Sequence, residues 1–79
     1  MERIDIVNKV TEIFREVFTD PGLVLNDDMT ANDVEKWDSL TNMAMVTAVE
    51  NAFGFKFKLK DLNKLKKVGD LISVVESKL

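Results

Sequence analysis

The chain of 79 residues contains no cysteine and no histidine. Without cysteine it can form neither a disulfide bond nor a thiol nucleophile, and without both residue types it lacks the usual ligands of zinc. Histidine is also the commonest general base, so a Ser-His-Asp triad cannot be built from this chain alone. We therefore expect no catalytic residue and no resident metal, and a binding, carrier or adaptor role is favoured over independent catalysis.

Glycine, proline and long apolar runs are also scarce. Three glycines and one proline leave few turns for a many-stranded β fold. No apolar run approaches the roughly 20 residues that cross a membrane, and residues 1–5 lack the basic-then-apolar order of a signal peptide. The length suits a single small domain over residues 1–79. We expect a cytoplasmic monomer without stable membrane insertion.

Acidic and basic residues are unevenly distributed along the chain. The net charge is −3, but residues 1–50 hold four basic and eleven acidic side chains, whereas residues 51–79 hold seven lysines and three acids. Because the chain is acidic overall and has no arginine after Arg15, no nucleic-acid binding is expected. The basic excess forms either a solvated loop or a docking patch for an acidic partner or an anionic surface. It is concentrated in Lys56, Lys58, Lys60, Lys64, Lys66 and Lys67.

Two segments show the apolar spacing of three and four residues that is typical of an amphipathic helix. The first ends at Thr19–Gly22, because Pro21 cannot continue a helix. The last spans about Val68 to Lys78. The predicted buried stripes are Ile6, Val10, Ile13, Phe14 and Val17 in the first segment, and Val68, Leu71, Ile72, Val75 and Leu79 in the last.

A further helix is predicted between them, from about Ser39 to Phe53, with Gly54 in the position of a C-cap. It carries two apolar surfaces. One fits a core and comprises Met45, Val46, Val49, Ala52 and Phe53. The other is shallower, and it is either covered by the preceding loop or free to meet a partner. It comprises Leu40, Met43, Ala44 and Thr47.

The predicted helices are joined by unequal connections. A long one runs from about Asp20 to Trp37, and Trp37 is expected to close the core where this loop meets the next helix. Residues 61–65 are expected to form a short helical turn. The prediction is an all-α fold, a small bundle of three main helices plus one short helix with a long first loop. Before the short turn, residues 55–60 alternate apolar and basic, which we interpret as an extended loop that buries Phe55, Phe57 and Leu59.

Ser39 is the side chain best placed to carry a function. It lies where the polar loop becomes a helix, in the run Trp37-Asp38-Ser39-Leu40. Either Asp38 or Ser39 caps that helix, since their oxygens accept free backbone N–H groups. A capping box is not expected, because Asn42 stands three residues after Ser39. The same position also suits an attached phosphate, because the N–H groups and the dipole at a helix start favour anions.

Longer stretches of the sequence surround this site. The triplet Asp38-Ser39-Leu40 lies near the end of a run from residue 25 to residue 41, and two further runs follow at residues 49–55 and 68–72. Together these runs resemble the acyl carrier protein family, in its Trp-Asp-Ser-Leu branch, and the resemblance covers essentially the whole chain. In that family the triplet is the phosphopantetheine attachment motif.

The resemblance implies a carrier rather than an enzyme. Ser39, beside Asp38, would be joined to 4'-phosphopantetheine by a phosphopantetheinyl transferase that uses coenzyme A and magnesium ions. The arm would hold acyl groups as thioesters for acyl ligase or acyltransferase enzymes of lipid or fatty acid biosynthesis. Partner enzymes would dock on Leu40, Met43, Ala44, Thr47 and Glu50. In the family, the acyl chain can enter between the helices. Seven residues of this chain either line such a space or form plain core: Met45, Val46, Val49, Leu62, Leu65, Val68 and Ile72.

The middle helix departs from the family pattern. Carriers of fatty acid synthesis usually bear several acids along it, whereas here Glu50 is its only acid after Asp38 and the stretch that follows is basic. We therefore expect a specialised carrier that serves a dedicated ligase or transferase in a lipid, polysaccharide or secondary-metabolite pathway. Two alternatives stay open: an aminoacyl or peptidyl carrier, and a helical adaptor in which Ser39 is a helix cap or a phosphorylation site.

Overall fold

A computed structural model describes residues 2–34 and 36–79. Met1 and Glu35, which belong to the predicted N-terminus and first loop, lie outside the described residues. The described residues form a 3-10 turn at Ala31–Asp33 and four α-helices, and they contain no strand. This confirms the all-α prediction of three main helices and a short one. The helices are α1 (Arg3–Val17), α2 (Ser39–Phe53), α3 (Leu59–Leu62) and α4 (Val68–Lys78).

The core lies where α1 packs against both α2 and α4. Buried side chains recur every four residues at Ile6, Val10, Phe14 and Phe18, so the apolar stripe of α1 continues one residue past its end. These side chains join one buried cluster with residues of the other two long helices. The partners from α2 are Met45, Val46 and Val49, and those from α4 are Val68, Leu71, Ile72 and Val75.

The end of α2 follows the sequence prediction. Gly54 adopts the left-handed conformation with φ of 74°, which an L side chain rarely adopts. Its N–H donates to the Glu50 carbonyl at 2.8 Å, and the Phe55 N–H donates to the same oxygen at 3.2 Å. The chain therefore leaves α2 sharply toward α3. No helix in the described part of the chain is long and apolar enough to cross a membrane.

The long first connection is bonded to the start of α4. The Val68 N–H donates to the Met29 carbonyl at 2.8 Å, and the Gly69 N–H donates to the Asp27 carbonyl at 3.0 Å. A Cβ on Gly69 would lie 3.0 Å from that same Asp27 oxygen, so a glycine allows this close approach. Arg3 adds an ion pair to Glu76 at 3.3 Å and a longer one to Asp27 at 3.8 Å. These contacts hold the loop that leads to Ser39.

Two details of the sequence prediction are wrong. The short helix α3 begins at Leu59, two residues earlier than expected, so Leu59 lies in a first helical turn and is 75% exposed instead of buried. The buried residue of that turn is Asp61, whose carboxylate accepts the Lys58 N–H at 2.9 Å and pairs with the Lys78 ammonium at 2.9 Å. Leu79 is 55% exposed because it lies one residue beyond α4.

Candidate functional site

Ser39 is the first residue of α2, and Asp38 before it is the N-cap with an extended backbone. The Oδ1 atom of Asp38 accepts the backbone N–H groups of Leu40 and Thr41, both at 2.9 Å. In return, the Thr41 Oγ1 atom accepts the Asp38 N–H at 2.8 Å. The Thr41 hydroxyl also lies 2.8 Å from the Lys36 carbonyl, to which it can donate. The helix start is therefore bonded on both sides of Ser39.

The reciprocal bonds are a capping box, so the expectation that none would form is wrong. The cap is Asp38 rather than Ser39, which makes Thr41 the third helical residue instead of Asn42. Threonine is not the usual Glu or Gln of a capping box, and the sequence pattern therefore gives no signal for it. The Ser39 hydroxyl takes part in none of the hydrogen bonds of the cap, and Ser39 is exposed to solvent.

Trp37 connects this helix start to the core. Its ring packs edge-on against Phe14 with centroids 5.3 Å apart and lies 5.6 Å from the Phe18 ring. Its indole N–H donates to the Asn42 side-chain oxygen at 3.0 Å, in the first turn of α2. The prediction that Trp37 closes the core is confirmed. Trp37 therefore joins the segment that contains Ser39 to the aromatic residues of α1 and to the first turn of α2.

The carboxyl group of Asp38 is ionised at neutral pH. Its pKa lies below the ordinary value of 3.8, chiefly because the Thr41 backbone N–H donates to it. Desolvation opposes this effect, whereas the Thr41 side chain and the Leu40 N–H also lower the pKa. The negative charge therefore lies at the positive end of the α2 dipole, where it is stabilised.

Ser39 lies on the wall of an open groove of about 330 Å³. The groove is built from three separate parts of the chain: the first loop, the start of α2, and the segment after α3. Neither Ala31 nor Lys66 was predicted at this site, since no spacing in the sequence relates them to Ser39. Another cavity, of about 340 Å³, lies against Phe18 and Leu23 and does not include Ser39. The residues that line the groove are Ala31, Trp37, Asp38, Ser39, Asn42, Leu65 and Lys66.

The described residues of the first loop, 20–34 and 36–37, leave the shallower apolar surface of α2 uncovered. Leu40 is 79% exposed and Met43 54% exposed, and Ala44 and Thr47 are exposed beside them. Glu50 differs from these four, because it is half-buried and its Oε2 atom accepts the Phe57 N–H at 2.8 Å. That bond holds the connection between α2 and α3.

The sequence left open whether seven apolar residues of α2, α4 and the α3 region line a space for an acyl chain or form plain core. In the structure these residues belong to the core or pack against it. Met45, Val46 and Val49 of α2 are at most 3% exposed. Val68 and Ile72 of α4 are at most 1% exposed. Leu62 and Leu65 are partly buried and pack against this cluster from the α3 side.

Comparisons with known proteins assign the family. A family model described as "Phosphopantetheine attachment site" matches residues 8–75. The chain is 31% identical to an acyl carrier protein of Coprothermobacter proteolyticus, over all of this chain and 96% of that protein. It is 35% identical to an acyl carrier protein of Thermotoga maritima, over 98% of this chain and 95% of that one. The solution NMR structure of a holo acyl carrier protein from Geobacter metallireducens matches with a TM-score of 0.86 and 43% identity, over 91% of this chain and 83% of that chain. The chain therefore belongs to the acyl carrier protein family, and its prosthetic group is 4'-phosphopantetheine.

Proposed function

We propose that Ser39 is the attachment residue, and that the chain carries acyl intermediates as thioesters on a phosphopantetheine arm joined to the Ser39 oxygen. One observation carries this proposal. Asp38 and Thr41 cap α2 between themselves, so the hydroxyl of the first helical residue stays exposed on the wall of a groove. Attachment there breaks none of the bonds of the cap.

The residues around Ser39 fit a phosphodiester. The positive end of the α2 dipole stabilises an anion at this position. Lys66 supplies a cation in the same groove. The charge of Asp38 opposes an anion less than a free carboxylate would, because two backbone N–H groups bond to it. When bound, the arm supplies the thiol that forms the thioester, and the chain itself has no cysteine.

The exposed surface of α2 is proposed as the docking site for partner enzymes. Leu40 follows Ser39 directly, and Met43, Ala44 and Thr47 continue the surface along the helix. Exposed apolar side chains next to the attachment point suit a desolvated contact with a phosphopantetheinyl transferase, an acyl ligase or an acyltransferase. Glu50 stays a predicted docking residue at the far end, although its carboxylate also bonds to Phe57. The partner enzymes supply the catalytic groups.

We further propose a specialised cytoplasmic carrier that serves a dedicated ligase or transferase in a lipid, polysaccharide or secondary-metabolite pathway. The support is the lack of charge on the exposed face of α2, where Glu50 is the only acid of the helix. A competition assay against a carrier with an acidic helix tests this. We expect ordinary fatty acid synthesis enzymes to load and elongate this chain less efficiently, and equal efficiency would contradict the proposal. A mass spectrum of the loaded arm from the native host distinguishes an acyl from an aminoacyl cargo.

Attachment at Ser39 is tested by intact mass after incubation with coenzyme A, magnesium ions and a promiscuous phosphopantetheinyl transferase. We expect the natural chain to gain the mass of one phosphopantetheine and Ser39→Ala to gain none while keeping its helical circular dichroism. Ser73→Ala, which changes an exposed serine of α4, is the matched control and should be modified normally. Modification of Ser39→Ala, or no modification of the folded natural chain, would overturn the assignment.

A further inference from the structure

The lysine segment, residues 56–67, presents six exposed lysines. Among residues 2–34 and 36–79, only Lys67 of this group forms an ion pair, with Asp28 at 3.8 Å, and both side chains are more than half exposed. Such exposed pairs contribute little, so they do not neutralise the segment. Asp61, the one acid within it, is turned inward to the Lys78 ammonium at 2.9 Å. The positive charge of the segment therefore faces solvent.

One end of this positively charged segment lies at the attachment site. Leu65 and Lys66, near the end of the segment, line the same groove as Ser39. An enzyme that acts on a group held at Ser39 must approach this groove. Its surface then comes close to Lys66, at the end of the lysine segment, and the charges on that surface strengthen or weaken the encounter.

The other side of the attachment site has no comparable charge. The exposed residues of α2 next to Ser39 are Leu40, Met43, Ala44 and Thr47, which are all uncharged. The carboxylate of Glu50 accepts the Phe57 N–H and is half-buried. The charged side chains at the groove are therefore Asp38, whose carboxylate is bonded to two backbone N–H groups of the helix start, and Lys66 of the lysine segment, while α2 offers apolar contact.

We infer that the lysine segment is the electrostatic docking surface for the acyl-transferring partners, and that these enzymes present an acidic surface beside the entrance to their active site. This inference rests on the proposed attachment at Ser39. A protein partner is favoured over an anionic membrane because Leu59 is the one large apolar side chain of the segment that is mostly exposed. A single leucine buries too little apolar area to anchor a chain at a lipid interface, whereas it suits the centre of a protein contact.

The test uses the holo-protein, with the arm verified by intact mass, and two acyl ligases of known structure. One ligase has an acidic active-site entrance and the other a basic one. The charge-reversal variant is Lys56→Glu/Lys60→Glu/Lys64→Glu, and the matched variant with glutamine at the same positions removes the charge without reversing it. None of these three lysines forms an ion pair within the described residues. Thermal melts confirm that both variants fold.

We expect the acidic-entrance ligase to load the natural holo-protein with the higher kcat/KM. Charge reversal should lower that value by about tenfold or more, and the glutamine variant should lower it less. Raising the salt to roughly 0.5 M should also lower it, because exposed charges are screened. Unchanged kcat/KM in the charge-reversal variant, or preference for the basic-entrance ligase, would overturn the inference. Failure to form the holo-protein would instead overturn the attachment at Ser39.

A sedimentation experiment examines the membrane alternative. Vesicles of phosphatidylcholine and phosphatidylglycerol are mixed with the holo-protein and with the charge-reversal variant, and both proteins should stay in the supernatant. Lysine-dependent sedimentation together with unchanged loading by the acidic-entrance ligase would assign the segment to a lipid surface and overturn the inference.

Discussion

Asp38 and Thr41 each accept the other's backbone N–H group, at 2.8 and 2.9 Å, across the first turn of α2. Because this pair holds the helix start, Ser39 between them has no part in the cap. Capping and the proposed attachment therefore fall on neighbouring residues. The bonds of the cap do not depend on the Ser39 hydroxyl, so a group joined there would not compete with them.

Thr41→Val should weaken this helix start. Valine keeps the branched shape of threonine but cannot accept the Asp38 N–H or donate to the Lys36 carbonyl. We expect the free energy of unfolding to fall by about 1 kcal/mol in urea denaturation. Thr47→Val, at an exposed position of the same helix, is the control and should change it by less than about 0.5 kcal/mol. Equal stability of the two variants would contradict the role of Thr41.

The free energy of unfolding should depend on pH through two carboxyl groups, those of Asp38 and Asp61. The pKa of Asp38 is lowered chiefly by the Thr41 N–H, and that of Asp61 is lowered chiefly by the hydrogen bond from Lys78 and next by the Lys58 N–H. Because both pKa values lie below the ordinary 3.8 in the folded chain, their stabilisation is present above that pH. It is lost as the pH falls through the folded values. Urea denaturation between about pH 6 and pH 2 should show this fall.

Asp61→Asn separates the two contributions. The amide cannot ionise, so the variant should be less stable at neutral pH and should lose less stability on acidification than the natural chain. An identical slope in both proteins would show that Asp61 is not stabilised by its partners.

Val49→Asp should unfold the chain. Val49 is fully buried in α2, and an aspartate there would place an unpaired carboxylate in the core. The loss should exceed about 3 kcal/mol, which is most of the roughly 3–5 kcal/mol that the core of so small a domain supplies. Thr47→Asp, on the exposed face of α2, serves as the control in thermal melts. Natural melting behaviour of Val49→Asp would show that the assigned core face is wrong.

Gly69→Val should separate the first loop from α4. A Cβ at this position lies 3.0 Å from the Asp27 carbonyl oxygen and 3.1 Å from the Asp27 Cβ, so Asp27 must give way by a few tenths of an ångström, and the two methyl groups of valine add to this crowding. We expect a loss of about 1–3 kcal/mol in urea denaturation. At Gly22 the nearest atom is 3.8 Å away, on the Asp20 side chain, and Gly22→Ala should be tolerated. Equal stability of both variants would exclude the close approach.

Leu40→Ala should impair partner recognition without affecting the fold. Leu40 is 79% exposed and follows Ser39 directly, so its loss should leave the melting temperature unchanged. We expect kcat/KM for loading of the holo-protein by its acyl ligase to fall by about tenfold, as for an apolar residue at an interface centre. Leu79→Ala changes another exposed leucine, beyond α4, and should be loaded normally. Equal loading of both variants would remove Leu40 from the docking surface.

Most of the fold follows from local patterns. Helices α1 and α4 follow from the spacing of their apolar residues, and the end of α2 follows from Gly54. Both signals involve residues that are close together in the chain, so they can be recognised in the sequence itself. The position of α3 was predicted less well. An alternation of apolar and basic residues suggested an extended loop up to residue 60, but the ion pair of the buried Asp61 with the half-buried Lys78 favours a helical turn from Leu59. That pair joins residues 17 positions apart.

The composition alone excluded chemistry that needs cysteine or histidine. The order of the residues placed a serine at a helix start and showed that charge is unevenly distributed along the chain. Folding determined which residue caps that helix, since Asp38 rather than Ser39 bonds to the free N–H groups. It also brought Ala31, Leu65 and Lys66 to Ser39 in one groove, and left Leu40 and Met43 uncovered. Local patterns report on neighbours in the chain, whereas a groove and an exposed surface depend on the packing of distant segments.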